Sequence, residues 1–444
     1  MRQSNDGMLG AMPVPRLVVT MSLPIMLSML ISAVYNLVDS VYVAQYSDEA
    51  FLALSYAYPI QMLLVAFCSG IGVGFSAIFS RRLGEGDQEQ AASAVCHGFF
   101  LYGLCWLLFL LFALTGAAPF LRLSTEDPSV ARQGAQYLLI CCGLSIGTCM
   151  QFLTERILQA MGRPAGFMIV QGSGAILNLI LDPIFIFVLD LGVAGAAAAT
   201  VIGQISGALI GLWLVYRLRR QLPIRLRGFR PRGEMLAEMG RVAAPAVVMQ
   251  SLSSFMSLGL NQLLTRWSQS AVFVLGAYFK LQTFIFMPIF GISSGLIPIL
   301  SYNYGSGALR RVSASVRFGQ QFTAVLSLSG ALLLSLLASP LLRSAFRASP
   351  EALAMGAPAL RIIALSFFFA GTSIIFCSAF QSLGRSRWSL LVALLRQILL
   401  LLPAAALLLA LKPALVWAAF PLSELISCFA AALLYRRTIQ KQLL

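Results

Sequence analysis

The stretch GIGVGFSAIFSRRLGEG, Gly70–Gly86, returns in outline 221 residues later as GISSGLIPILSYNYGSG, Gly291–Gly307. Gly70, Ile71, Gly74, Ile78, Ser80, Gly84 and Gly86 all meet an identical residue. The match extends outward without gaps. At the same offset Pro24 meets Pro245, Ser32 meets Ser253, Ala50 meets Ala271 and Gln61 meets Gln282. Further on, QAMGRP (Gln159–Pro164) meets QSLGRS (Gln381–Ser386) at an offset of 222. A nearly constant offset close to half of 444 residues marks two copies of one design.

Both copies are built for lipid. The chain is 59% hydrophobic and 11% charged, whereas a soluble domain carries about a quarter charged residues. Apolar runs long enough for a bilayer-crossing helix fall near 17–42, 52–80, 92–116, 133–159, 164–189, 195–216, 236–264, 272–300, 314–338, 357–383, 388–411 and 413–435. The repeat therefore shifts the pattern by six helices, an even number, so both halves enter from the same side. Parallel repeats of this kind are related by an axis along the membrane normal. The expected fold is an all-α integral membrane protein of twelve transmembrane helices, in two pseudo-symmetric six-helix bundles around a central cleft. Residues 1–216 and 236–444 form the bundles, and 217–235 link them.

The net charge of +15 raises the question of nucleic acid, but its distribution points to topology. Loops on the side of the N-terminus hold 21 Arg and Lys residues, and those on the other side hold 6. The positive-inside rule then places both termini in the cytoplasm. The most basic loop, YRLRRQLPIRLRGFRPRG (Tyr216–Gly233), suits anionic headgroups. The polar start, MRQSNDGMLGAMPVPR, leads into a first span that reads as retained. All eight cysteines fall in or beside apolar spans without a CxxC pair and read as small buried residues. His97 is the single histidine, which argues against a His-based metal site.

Charged groups inside a bilayer are costly and call for a partner or a task. In the first span, Asn36 and Asp39 are three apart and share a helix face. In the fifth, Asn178 and Asp182 are four apart, and Pro183 frees the carbonyl of Leu179. The sixth span offers Thr200 within GVAGAAAAT, whose small residues permit close helix approach. Carboxylate, amide and spare carbonyl suit a small hard cation such as sodium, and buried carboxyls equally suit a proton. Glu155 and Arg156 adjoin in the fourth span, consistent with a local ion pair. Lys280 and Arg396 are the main basic groups of the second half, with Glu424 as a partner. Tyr35, Met26, Phe152, Met256, Phe284, Phe286 and Met287 are candidates to line a substrate cleft, with Gln250, Asn261 and Lys280 as polar members.

These segments resemble the multidrug and toxic compound extrusion (MATE) antiporters of bacteria. The resemblance is carried by LPIMLSMLISAVYNLVDSVYVAQYS, GIGVGFSAIFSRRLGEGD, ERILQAMGRP, GAILNLILDPIFIF and LGVAGAAAATVIGQ in the first half. FGISSGLIPILSYNYGSG and FQSLGRSRWSLLVALLRQILLLLP carry it in the second. The order and spacing of these segments cover nearly the whole chain. Within the family, the YFKLQ of Tyr278–Gln282 is similar to that of certain bacterial exporters. The resemblance implies two lobes in alternating access and a coupling site at Asp39, Asn178, Asp182 and Thr200, with Glu155 near it and Pro24 as a hinge. Some relatives rely on an acid in the seventh helix, and this chain has none between Pro245 and Leu264.

The expected function is efflux of small organic cations in exchange for protons or sodium, without a cofactor, by a monomer in the cytoplasmic or inner membrane. Nucleic acid is not an expected partner. The alternative is a flippase or exporter of a lipid-linked precursor on the same type of fold. A diphosphate cargo favours a basic cleft, whereas the polar groups of the first half are mostly acidic. Enzyme chemistry is not expected: one histidine cannot form a zinc-protease motif. A passive channel fits the repeat with its ionisable midplane groups less well than alternating access does.

Overall fold

The computed structural model describes residues 8–218 and 229–440. Arg2, Lys441 and residues 219–228 of the basic loop lie outside the described residues. Among those described there is helix throughout and no strand. The spans in chain order are α1 (Val14–Val43), α2 (Asp48–Gly84), α3 (Gln88–Thr115), α4 (Pro128–Gly143 and Ile146–Ala160), α5 (Pro164–Val188) and α6 (Gly192–Arg217). The second half supplies α7 (Gly233–Thr265), α8 (Gln269–Gly305), α9 (Leu309–Ala345), α10 (Pro350–Ala364 and Phe367–Ser382), α11 (Ser386–Leu411) and α12 (Pro413–Ile439). Ten are single helices long and apolar enough to cross a membrane, and α4 and α10 are bent pairs, at 43° and 42°.

The two bends fall at matching points of the repeat. Ser145 Oγ donates to the Cys142 carbonyl at 2.7 Å, and Ser366 Oγ donates to the Ile363 carbonyl at 2.6 Å. A serine hydroxyl bonded back to a preceding carbonyl competes with the helix ladder and bends it. Helix ends repeat as well. Gly86 and Gly307 take φ of 77° and 75°, a left-handed conformation that glycine adopts without a Cβ penalty. The next residue then bonds five residues back, Asp87 to Arg82 and Ala308 to Asn303, at 3.1 and 2.8 Å, closing the helix end.

The chain packs as two compact units, and the other repeated glycines belong to their cores. Of the described residues, one unit holds 8–11 and 27–247. The other holds Met12–Met26 with the chain from Val248 onward. These contact units cut α1 and α7 within their length, whereas the sequence placed the boundary in the 217–235 loop. The change of unit comes two residues beyond Pro24 in α1 and two beyond Pro245 in α7, and both helices run on through their prolines. In the first unit, a Cβ on Gly70 would stand 2.7 Å from the Val247 nitrogen, and one on Gly74 would stand 2.6 Å from the Met239 carbonyl. In the second, a Cβ on Gly291 would stand 2.8 Å from the Met26 nitrogen, and one on Gly295 would stand 2.7 Å from Ser22 Oγ. The glycines of the opening stretch are therefore the points where the first half of α7 crosses α2, and where the first half of α1 crosses α8. Gly70 and Gly74 lie one turn apart, so only two bare backbone positions in a row admit the crossing helix.

Each unit has its own apolar core. The first gathers Phe75, Phe79, Tyr102, Leu121, Tyr137 and Leu153. The second gathers Ile289, Leu360, Phe367, Leu401 and Trp417. Outward-facing leucines such as Leu114, Leu209, Leu336 and Leu411 are well exposed, as expected of helices whose solvent is hydrocarbon.

Candidate functional site

A line of small residues, Gly195, Ala199, Gly203 and Gly207, runs along one face of α6 at four-residue spacing. It meets the backbone of α5 directly. A Cβ on Gly203 would lie 2.6 Å from the Gly174 carbonyl, one on Gly174 would lie 2.8 Å from the Gly203 carbonyl, and one on Gly207 would lie 2.9 Å from the Val170 carbonyl. This close approach brings Asn178, one turn beyond Gly174, against Thr200. Asn178 Nδ2 donates to Asp182 Oδ1 at 2.9 Å and to Thr200 Oγ1 at 3.3 Å. Asn178 and Asp182 are buried. Beyond them Pro183 withholds a backbone donor, and the helix continues as a π-helical turn, Ile184–Val188. Single π turns are frequent beside functional groups.

Asp39 of α1 comes to the same place. Its carboxyl and that of Asp182 are within hydrogen-bonding reach of each other. Neither side chain can donate when ionised, so this arrangement calls for a proton or a cation between them. Asp39 Oδ1, Asp182 Oδ2 and Asn178 Oδ1 are buried without a hydrogen-bond donor. No basic side chain forms an ion pair with Asp39 or Asp182 among the described residues.

Glu155 is buried and accepts a hydrogen bond from Gln151 Nε2 at 2.9 Å. It lies in the cluster's electrostatic field, since Tyr35 interacts with Asp39, Glu155 and Asp182 together. Arg156, the next residue, interacts electrostatically with Glu155 and donates to Gln159 Oε1 at 3.0 Å. Asn36 is exposed; its Nδ2 donates to the Ser32 carbonyl of its own helix at 2.8 Å, and it also bonds with Tyr35. Several polar partners were not singled out from the sequence. Gln171 Nε2 donates to Ser32 Oγ at 2.6 Å, and Thr148 Oγ1 donates to Gln204 Oε1 at 2.6 Å. Thr148, Gln151 and Glu155 are three and four residues apart, and Thr200 and Gln204 four apart. That helical spacing was the available signal.

Next to the cluster, Tyr35, Leu30, Ile31, Val34, Ala175 and Leu179 line an apolar hollow of about 240 Å³. Phe152 is half-buried against the core of the same unit. The remaining candidates lie in the other unit. Met26 is buried on Gly291, and Met256 is half-buried in the core. Gln250, Lys280 and Phe284 are exposed, while Asn261 and Met287 are half-buried. Glu424 takes Arg396, not Lys280, as its partner. Arg396 Nε and Nη2 both donate to Glu424 Oε1, at 3.0 and 2.8 Å.

The α5–α6 contact has little tolerance. Gly203→Val is expected to push the two backbones apart and break the Asn178–Thr200 bond. Overpacking of this kind costs about 1–3 kcal/mol, read as a lower unfolding temperature of the purified protein.

Comparison with known proteins agrees with this architecture. The MatE family profile matches residues 24–184 and again 245–407, one copy in each half. The multidrug export protein MepA of Staphylococcus aureus (strain MRSA252) is 26% identical over 402 residues, covering 88% of this chain and 86% of its own length. An FAD transporter of Shewanella oneidensis is 25% identical over 418 residues, covering 91% and 90%. Among solved structures, a multidrug resistance MATE family transporter of the MOP superfamily, in an outward-facing conformation, superposes with a TM-score of 0.93 at 22% identity over 99% of both chains. At that identity the likeness is one of fold. The double match of the profile to the two halves rests on sequence, and by it the chain belongs to the MatE family of multi-pass membrane transporters.

Proposed function

We propose that the chain is a secondary active exporter, exchanging small organic cations for protons or sodium ions by alternating access. The coupling ion sits at Asp39, Asn178, Asp182 and Thr200, with Glu155 beside them. One observation carries this reading: two intramembrane carboxyls meet, their cluster has three buried acceptor oxygens without a donor, and no base forms an ion pair with Asp39 or Asp182 among the described residues. A hard cation takes such oxygens as ligands, and a proton shared between the carboxyls removes their repulsion. A cationic substrate is drawn to the same negative charge, so ion and substrate compete, and inward flow of one drives outward flow of the other. The apolar hollow at Tyr35 takes the hydrocarbon part of the substrate.

The same reading places both termini in the cytoplasm and the protein in the cytoplasmic or inner membrane, since the arginine bias is strong. A lipid-linked diphosphate is a poorer cargo for an acidic cluster. The test is efflux of a fluorescent cationic dye from proteoliposomes, with a pH gradient and a sodium gradient imposed separately. Uphill efflux driven by one of them is expected and names the ion. Dye movement indifferent to both gradients overturns the reading.

A further inference from the structure

Three cysteines that look unrelated in the sequence converge in the first unit. Cys68 of α2, Cys105 of α3 and Cys149 of α4 are all buried, and their sulfurs lie within 4.8 Å of one another. Cys68 Sγ and Cys149 Sγ are 3.7 Å apart. The coupling mechanism uses none of them. A central atom bonded to three sulfurs at about 2.3 Å holds them roughly 3.5–4 Å apart, so the three thiols already stand near the spacing of a three-coordinate site.

The surroundings select what can fill it. No fourth cysteine, histidine or carboxylate joins the three among the described residues, so the site offers three ligands. The Tyr102 hydroxyl donates to the Cys68 carbonyl at 2.8 Å, and beyond it lies the buried Arg156, whose charge Glu155 already faces. A net charge left in such a place is unfavourable unless paired. Three thiolates around zinc(II) leave a charge of minus one, and around copper(I) minus two. Three thiolates around arsenic(III) or antimony(III) leave none.

We propose that Cys68, Cys105 and Cys149 form a tris-thiol site for a trivalent metalloid, arsenic(III) or antimony(III), that ties α2, α3 and α4 together when filled. The step balances without an oxidant or reductant. Arsenous acid, As(OH)₃, exchanges its three As–O bonds for three As–S bonds. The three thiol protons leave with the three hydroxides as water, and arsenic stays trivalent. Arsenous acid is itself small and uncharged, so it can enter through lipid and a breathing helix bundle.

The experiment is intact-mass analysis of the purified, folded chain after exposure to arsenous acid and removal of the excess. Wild type is expected to retain one arsenic with the loss of three hydrogens, together with a new near-ultraviolet sulfur–arsenic absorption. Cys105→Ser is expected to lose arsenous acid but to keep phenylarsine oxide, which needs only the Cys68–Cys149 pair. Cys149→Ala serves as a second removal if Cys105→Ser does not fold, and is likewise expected to lose arsenous acid. The double variant Cys141→Ala, Cys142→Ala is expected to bind arsenous acid as wild type does, although those adjacent thiols are also buried. Absence of arsenic on wild type, or equal retention after Cys105→Ser or Cys149→Ala, overturns the site. Equal retention of zinc overturns the charge argument that assigns it to a metalloid.

Discussion

Asp182→Asn is expected to abolish ion-driven efflux while leaving the protein folded. Asparagine has nearly the shape of aspartate, and its side-chain oxygen can still accept the 2.9 Å bond from Asn178 Nδ2. The contact of α5 with α6 rests on Gly174, Gly203 and Gly207 and is untouched. What disappears is one of two carboxyls that face each other with no ion-pair partner among the described residues. Removing one member of a buried charged interaction costs about 2–5 kcal/mol, roughly thirty-fold or more in affinity for the coupling ion. Dye efflux from proteoliposomes under the driving gradient should fall to the rate seen without a gradient. Asp39→Asn should do the same, because each carboxyl gives the other its reason to hold a cation. Unchanged gradient dependence in Asp182→Asn would remove Asp182 from the coupling step and leave it as a hydrogen-bonded structural acid.

Much of this arrangement is written locally in the sequence, and the exceptions share one cause. Spans were legible because hydrocarbon thickness sets one length for all helices. The grouping of Asn178 with Asp182 was legible because helical periodicity puts residues four apart on one face. Thr200 was legible because the small residues around it announce a close helix contact. What the repeated glycines touch was not. Gly70 meets Val247 and Gly291 meets Met26, partners from helices far away in the chain. No local rule therefore distinguishes a glycine that seats a crossing helix from one that ends a helix, as Gly86 does. The same holds for Cys68, Cys105 and Cys149. Their separations follow no ligand motif, and only the packing of α2, α3 and α4 collects them. Asn36 illustrates a finer limit. A shared face with Asp39 fixed its direction, but not whether its amide turns to the cluster or back to the Ser32 carbonyl.

Glu424→Ala is expected to be among the most destabilising single changes in the second unit. Arg396 directs Nε and Nη2 at a single oxygen of Glu424, and both side chains are largely buried. Their helices, α11 and α12, are otherwise strongly apolar. Truncating one partner leaves an uncompensated charge in a medium of low dielectric, which costs about 3–5 kcal/mol. The unfolding temperature of the purified protein should drop sharply, and the yield of monodisperse protein should drop with it. Replacing both partners, Arg396→Leu with Glu424→Leu, should recover most of the loss, since exchanging a buried ion pair for apolar residues is often neutral or stabilising. The contrast with Asp182 is physical. Asp39 and Asp182 have no ion-pair partner among the described residues, so losing one should affect transport before stability. Glu424 already has its counter-charge, so losing it should affect stability first. If Glu424→Ala keeps its unfolding temperature while the apolar double variant folds but fails to transport, the pair opens and closes during the transport cycle instead of holding α11 to α12.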